Sequence, residues 1–283
     1  MPIANINGQN ITYDDTGGNG PALIFSHGFL MDRTMFDSQV KHFRENFRCV
    51  CWDERGFGDT PANGSFSFWD SADDAIALMD HLNIAEAVLL GMSQGGFLSL
   101  RAALRYPERV NALVLIDSGV HVDSAETLAG YAQLMDHWMS EEPLGDVGRH
   151  VAGLIINEPE LSKEWIKIWE SRDRYSLKFP SEALLTRDDI TDRIAEIECP
   201  VLVVHGEEDQ AILIETAEIL CGQLPGCREL IRVPGAAHAA NMTHSELVNP
   251  AIASFLEGLE GDTLNGSLST PQGNLPIVGK KSA

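Results

Sequence analysis

The stretch Glu86-Ala87-Val88-Leu89-Leu90-Gly91-Met92-Ser93-Gln94-Gly95-Gly96 admits few folds. Glu86 to Leu90 reads as a short apolar strand, and Gln94 to Tyr106 reads as a helix. Between them, Gly-x-Ser-x-Gly forces the chain to turn from strand to helix at Ser93. A turn this tight lifts the serine hydroxyl clear of the strand end. It strains the backbone by roughly 1–3 kcal/mol. Gly91 and Gly95 suit it because a Cβ at either place would collide across the turn. The unpaired N–H groups of the new helix point toward any negative charge that forms beside the serine. Ser93 is therefore a candidate nucleophile. It needs a base, an acid behind the base, and donors for an oxyanion.

The rest of the chain supplies a sheet to carry that turn. Asn5 to Gly8 and Ile11 to Asp15 read as strands joined at Asn7-Gly8, a hairpin signal. Further apolar runs lie at 21–26, 47–52, 112–116, 200–205 and 228–233. Helical patterns separate them, among them a segment capped by Ser67 or Asp70 and ending near His81. Short Val/Leu/Ile-rich strands alternating with helices call for an α/β fold whose sheet is covered on both faces. The alternation stops after Gly119, and from His121 to Ile197 only helical patterns occur. A helical block between two strands is expected to cap the carboxyl edge of the sheet. This gives a core at 1–119 and 198–260, a helical cap at 120–197, and a loosely held tail at 261–283 rich in Gly, Ser, Thr, Asn and Pro. Within the tail, Leu275-Pro276-Ile277-Val278 could dock on the body or on a neighbouring subunit.

Charge narrows the partners. A formal charge of −22 argues against nucleic acid and anionic membranes. Neither a basic, apolar leader nor a run of membrane-spanning length is present, so the expectation is a soluble cytoplasmic protein. Of five cysteines, Cys49, Cys51 and Cys199 read as small buried apolar residues. Cys221 and Cys227 could bridge, although nothing in the sequence demands it. No metal-ligand spacing and no glycine-rich phosphate loop occurs, so no cofactor and no metal is implied.

The chain resembles the α/β-hydrolase superfamily over about residues 3 to 259. His27-Gly28-Phe29, Asp53-Glu54-Arg55-Gly56-Phe57-Gly58, Gly91 to Gly96, Gly206-Glu207-Glu208-Asp209 and Gly235-Ala236-Ala237-His238 carry the resemblance, in the family's order of serine, acid and histidine. It implies a mostly parallel eight-stranded sheet with an inserted helical cap. The capped layout is similar to enol-lactonases, small-molecule carboxylesterases, cofactor-free haloperoxidase-like esterases and carbon–carbon bond hydrolases.

His238 follows the last strand in a loop of small residues and is the expected base. Asp209 stands where the family places the acid; Asp117 is its rival, and Glu207 and Glu208 are neighbours. The oxyanion donors are expected to be the backbone N–H groups of Gln94 and Phe29, with His27 propping the second. Asp53 to Gly56 reads as a turn held by Arg55 and a carboxylate. Trp138, Trp165 and Trp169 either line a substrate pocket or fasten the cap. Arg172 and Arg174 read as exposed, with a substrate carboxylate as the alternative.

The expected partner is a small or medium ester or lactone. Oligomeric state stays open, with a homodimer possible. Two alternatives share the residues: hydrolysis of a carbon–carbon bond in a diketone, and a ligand-binding signalling protein with a slow triad. Epoxide and haloalkane hydrolysis are disfavoured, because those branches place an aspartate where Ser93 stands.

Overall fold

The computed structural model describes residues 1–266. Eight strands form one sheet: β1 (Ile3–Ile6), β2 (Gln9–Asp15), β3 (Ala22–Ser26), β4 (Arg48–Trp52), β5 (Ala87–Met92), β6 (Val110–Ile116), β7 (Val201–Gly206) and β8 (Cys227–Val233). Their order is β1-β2-β4-β3-β5-β6-β7-β8. The β1–β2 and β2–β4 pairs are antiparallel and all others are parallel. This is the mostly parallel α/β-hydrolase sheet that the resemblance implies.

Side-chain alternation shows why the strands are apolar throughout. Along β5, Ala87 and Leu89 enter one core, while Val88, Leu90 and Met92 enter the other. β3, β6 and β7 alternate in the same way. The first core lies under α2 (Phe68–His81), α3 (Gln94–Arg105) and α8 (Ile214–Gln223); the second lies under α1 (Asp37–Phe43) and α10 (Ser245–Gly266). Burying a leucine or valine fully is worth about 1.5–3 kcal/mol, so two cores on one sheet fix its register strongly. Ser67 is the N-cap of α2, and Asp70 completes a reciprocal capping box with it.

Chain order creates the place for a site. β3 runs on to β4 on one side, while its other neighbour, β5, runs on to β6 on the far side, so the connections leave the carboxyl ends of these adjacent strands in opposite directions. The crevice at such a switch point is where open α/β sheets bind ligands. Four helices, α4 (Ala125–Trp138), α5 (Gly145–Ile155), α6 (Pro159–Ser171) and α7 (Lys178–Leu185), fall between β6 and β7. Arg101 on α3 anchors the end of this insertion, donating to the Asp188 carbonyl at 2.7 Å and its carboxylate at 2.8 Å.

The last helix reaches Gly266, past the end expected at Leu259. The apolar tail segment 275–278 lies outside the described residues. Cys221 and Cys227 are bridged, with Cα atoms 5.3 Å apart, joining α8 to the start of β8. Cys49 and Cys51 are buried free thiols, as expected, and Cys199 is half-buried. Among the described residues no helix is long and apolar enough to cross a membrane.

Candidate active site

Ser93 sits between β5 and α3 at φ 51° and ψ −115°, the strained turn its flanking glycines require. A Cβ on Gly91 would lie 2.2 Å from the Gly95 carbonyl oxygen, across the turn. One on Gly95 would meet a different neighbour, the Ser26 carbonyl oxygen of β3 at 2.0 Å. The second glycine thus lets α3 pack against β3 as well as letting the turn close. The Ser93 N–H donates to the Ile116 carbonyl at 2.9 Å, and the Ser118 hydroxyl donates to the Ser93 carbonyl at 2.8 Å.

Three residues far apart in the chain converge on this turn. His238 Nε2 lies 2.9 Å from Ser93 Oγ, and its Nδ1 lies 2.7 Å from Asp209 Oδ2. Asp209 Oδ1 accepts the N–H groups of Ala211 at 2.8 Å and Ile212 at 3.0 Å. Burial alone would raise this carboxyl, but His238, His205 and the backbone donors together hold it well below the usual carboxylate range. An ionised carboxylate on Nδ1 fixes the tautomer that leaves Nε2 facing the serine.

Asp117 is close but differently employed. Its Oδ1 accepts the Gly206 N–H at 2.7 Å and its Oδ2 the Ala240 N–H at 3.0 Å. It braces the two loops that carry Asp209 and His238 and does not bond the imidazole. Burial pushes its carboxyl up to about 7, with the nearby Asp209 adding to the rise. His205 lies behind Asp209, its Nε2 2.7 Å from the Ile212 carbonyl and 3.3 Å from Asp209 Oδ2. Asp117, His205 and Asp209 could offer ligand atoms within 4.8 Å of one another. The carboxylate oxygens are committed to backbone N–H groups and to His238, so the trio forms the acid's surroundings. His244 pairs with the Thr243 hydroxyl at 2.9 Å.

Of the two expected oxyanion donors, Phe29 borders the cavity over Ser93, and Gln94 follows Ser93 at the start of α3. Among the described residues, neither the Phe29 nor the Gln94 N–H donates to a protein acceptor. The Phe29 loop is held from behind: His27 Nδ1 donates to the Gly28 carbonyl at 2.8 Å, while its Nε2 accepts the Glu54 N–H at 3.0 Å. Burial lowers the His27 pKa, which keeps this prop neutral. Leu30 next door takes φ 67°, and its carbonyl accepts Trp169 Nε1 at 2.8 Å. The Gln94 side chain donates to Glu54 Oε2 at 3.0 Å. Glu54 is fully buried, and burial pushes its carboxyl well above the usual range.

The Asp53–Gly56 turn is tied by side chains from other elements. Arg55 pairs with Asp74 of α2 at 2.8 Å, and Asp53 accepts the Arg33 and Asp59 N–H groups at 2.9 Å each. The tryptophans lie elsewhere than the substrate-lining expectation puts them. Trp138 stacks edge-on to Trp169 with centroids 5.3 Å apart, and Trp165 lies 6.4 Å from Trp169. None of the three borders the cavity over Ser93, because their flat rings fill the seam between insertion and sheet. Trp138 and Trp169 edge a separate hollow with Arg172 and Arg174. There Arg172 pairs with buried Asp32, and Arg174 donates to the Glu142 carbonyl at 2.7 Å.

The cavity over Ser93 encloses about 400 Å³. Tyr131, Leu134 and Met135 of α4 and Val151, Leu154 and Ile155 of α5 line it, as do Asp123 and Arg187. The first six repeat at i, i+3 and i+4, a pattern legible in the sequence. The last two carried no local signal.

The model of the alpha/beta hydrolase fold matches residues 21–160. The chain is similar to 3-oxoadipate enol-lactonase 2 of Acinetobacter baylyi, 26% identical over 84% of this chain and 89% of that one. It is also similar to a bifunctional esterase/perhydrolase of Acinetobacter calcoaceticus, 26% identical over 88% and 96%. Among solved structures, a thermophilic esterase from Thermogutta terrifontis superposes with a TM-score of 0.81 at 27% identity, covering 89% of this chain and 94% of that one. The enol-lactonase of Burkholderia xenovorans LB400 shares the fold with a TM-score of 0.82 at 24% identity, over 90% and 100%. With the sheet order, the strained serine turn and these likenesses together, the chain belongs to the α/β-hydrolase superfamily.

Proposed function

We propose that the protein is a serine hydrolase that cleaves an ester or lactone through an acyl-enzyme, with Ser93, His238 and Asp209 as its triad. The observation that carries this reading is the continuous chain from Ser93 Oγ to His238 Nε2 at 2.9 Å and from His238 Nδ1 to Asp209 at 2.7 Å. His238 takes the proton of Ser93 as the oxygen attacks the carbonyl carbon. The Phe29 and Gln94 N–H groups hold the oxyanion, each worth on the order of 3 kcal/mol. His238 then protonates the leaving alkoxide, and the acyl group stays on Ser93. Water, deprotonated by His238, attacks that ester and releases the acid and the free serine. Asp209 orients the imidazole and stabilises its charged form.

A cavity of about 400 Å³ suits a small or medium substrate. The helical insertion serves as the cap that closes it. The names of the relatives, an enol-lactonase and an esterase, support the reaction class.

The test is a panel of activated esters and lactones on the wild type beside Ser93→Ala. The variant is expected to lose about 10⁴–10⁶-fold in kcat. Turnover by the variant near the wild-type rate would overturn the assignment.

A further inference from the structure

Besides Ser93 and His238, the largely apolar lining of the cavity over Ser93 carries the polar side chains of His121, Thr127, Tyr131, Gln210 and Thr216 and one ion pair. Arg187, just past α7, is the only lysine or arginine among the described residues that border it. Its Nη2 donates to Asp123 Oδ2 at 2.6 Å, and its Nη1 donates to the Leu184 carbonyl at 2.8 Å. The guanidinium lies over the Phe97 ring, 5.0 Å from its centroid. Phe97 is one helical turn beyond Ser93, roughly 6 Å along the axis of α3. A substrate chain a few bonds long, attached to Ser93, would therefore reach the pair. The Arg187 side chain is 6% exposed and that of Asp123 25%.

A guanidinium in an apolar pocket is the natural receptor for a substrate carboxylate. Here that role is already filled from within. Arg187 and Asp123 cancel, and Asp209 adds a negative charge behind the imidazole. A carboxylate entering the cavity would meet a guanidinium whose charge Asp123 already offsets, and it would lie near two carboxylates of like sign. The formal charge of −22 opposes its approach as well. What the pair does offer is one N–H: among the described residues Arg187 Nε has no protein acceptor. An uncharged acceptor, such as an amide or ketone oxygen, can take it.

We propose that Asp123, by occupying Arg187, sets this site to accept uncharged esters and lactones and to reject those that carry a carboxylate. The proposal rests on the reading of Ser93 as a hydrolytic nucleophile. It makes Asp123 a specificity-determining residue, and removing its charge should turn the pocket toward anions.

The experiment compares two phenyl esters of six-carbon acids at fixed ionic strength, phenyl hexanoate and phenyl hydrogen adipate. The ratio of their kcat/KM values is measured for wild type, Asp123→Asn, Asp123→Ser, Arg187→Gln and Asp123→Asn/Arg187→Gln. Melting temperature and labelling of Ser93 by a fluorophosphonate report folding. The wild type should favour the hexanoate at least tenfold. Either Asp123 variant should shift the ratio toward the adipate by at least tenfold, and adding Arg187→Gln should abolish that shift. A wild type that prefers the adipate overturns the proposal, as does an unchanged ratio in a folded, labelled Asp123 variant. If neither Asp123 variant folds, the wild-type ratio decides. Failure to cleave either ester through Ser93 sinks the hydrolase reading together with this one. Ser93-dependent cleavage with an unmoved ratio sinks this one alone.

Discussion

The carboxyl edge of the sheet and the helical insertion meet at one cavity, yet they are built by opposite rules. At the sheet edge the groups around Ser93 are held by hydrogen bonds, although Glu54 Oε1, His205 Nδ1 and Asn241 Oδ1 are buried without a partner among the described residues. Asp117 and Asp209 take backbone N–H groups at 2.7–3.0 Å, and His238 is gripped at both nitrogens. In the insertion the cavity wall is mainly apolar, with a single ion pair set into it. A hydrogen-bonded network has one good arrangement, whereas an apolar wall tolerates any side chain of suitable volume. The difference teaches how the proposed function would divide: reaction geometry in the sheet edge, selection of substrate in the insertion.

The sharpest way to break that comparison is Asp209→Asn. It keeps the shape but removes the charge that orients His238, and kcat should fall by about 10⁴-fold with little change in KM. Steady-state kinetics on an activated ester measure it. A loss under tenfold would mean that the edge does not control the chemistry.

Next is Gly95→Ala. The added carbon would lie 2.0 Å from the Ser26 carbonyl oxygen and 2.9 Å from that of His27, both backbone atoms. The cost should be roughly 3 kcal/mol or more of folding stability, read by urea unfolding.

A third effect is on the pH dependence of stability. Asp117 keeps its proton in the folded protein up to about 7, while an unfolded aspartate loses it near 3.8. Its contribution is therefore fully present below that value and is lost as pH rises through about 7. Asp117→Asn cannot titrate. It should be less stable, since one of two backbone donors loses its acceptor, but its stability should fall less between pH 4 and 7 than that of the wild type. Unfolding curves across that range test the slope.

In the insertion the effects should be smaller. Leu154→Ala should leave Ser93 labelling intact and alter kcat/KM among acyl chain lengths within about tenfold. Smaller still, thiol titration of the unfolded, unreduced chain should find three free thiols of the five cysteines, because Cys221 and Cys227 are joined.

The same contrast explains what could be read from the residues alone. Ser93, His238 and Asp209 announce themselves because each must stand at the end of a strand, in a turn with its own glycine or small-residue pattern. Asp117 could be placed beside them but not told apart from Asp209, since the distinction lies in which N–H groups each carboxylate meets. The eight strands were legible from apolar runs. In the insertion, helices could be read but not the faces they turn inward, which depend on crossing angles that no local pattern encodes. Hence the tryptophans suited a pocket and fill a seam instead. Asp123 and Arg187, 64 residues apart, meet only because α4 and α7 pack together.

Glu54 has a consequence for the electric field at the reacting carbon. Its side chain is bonded to that of Gln94, whose own N–H is the proposed oxyanion donor. A second anion parked there would oppose the one that must appear on the substrate oxygen. Burial pushes the Glu54 carboxyl well above the usual range and so disfavours that charge beside the start of the helix. Under the proposed mechanism, a carboxyl with no part in any bond-making step would thereby help the reaction through its reluctance to ionise.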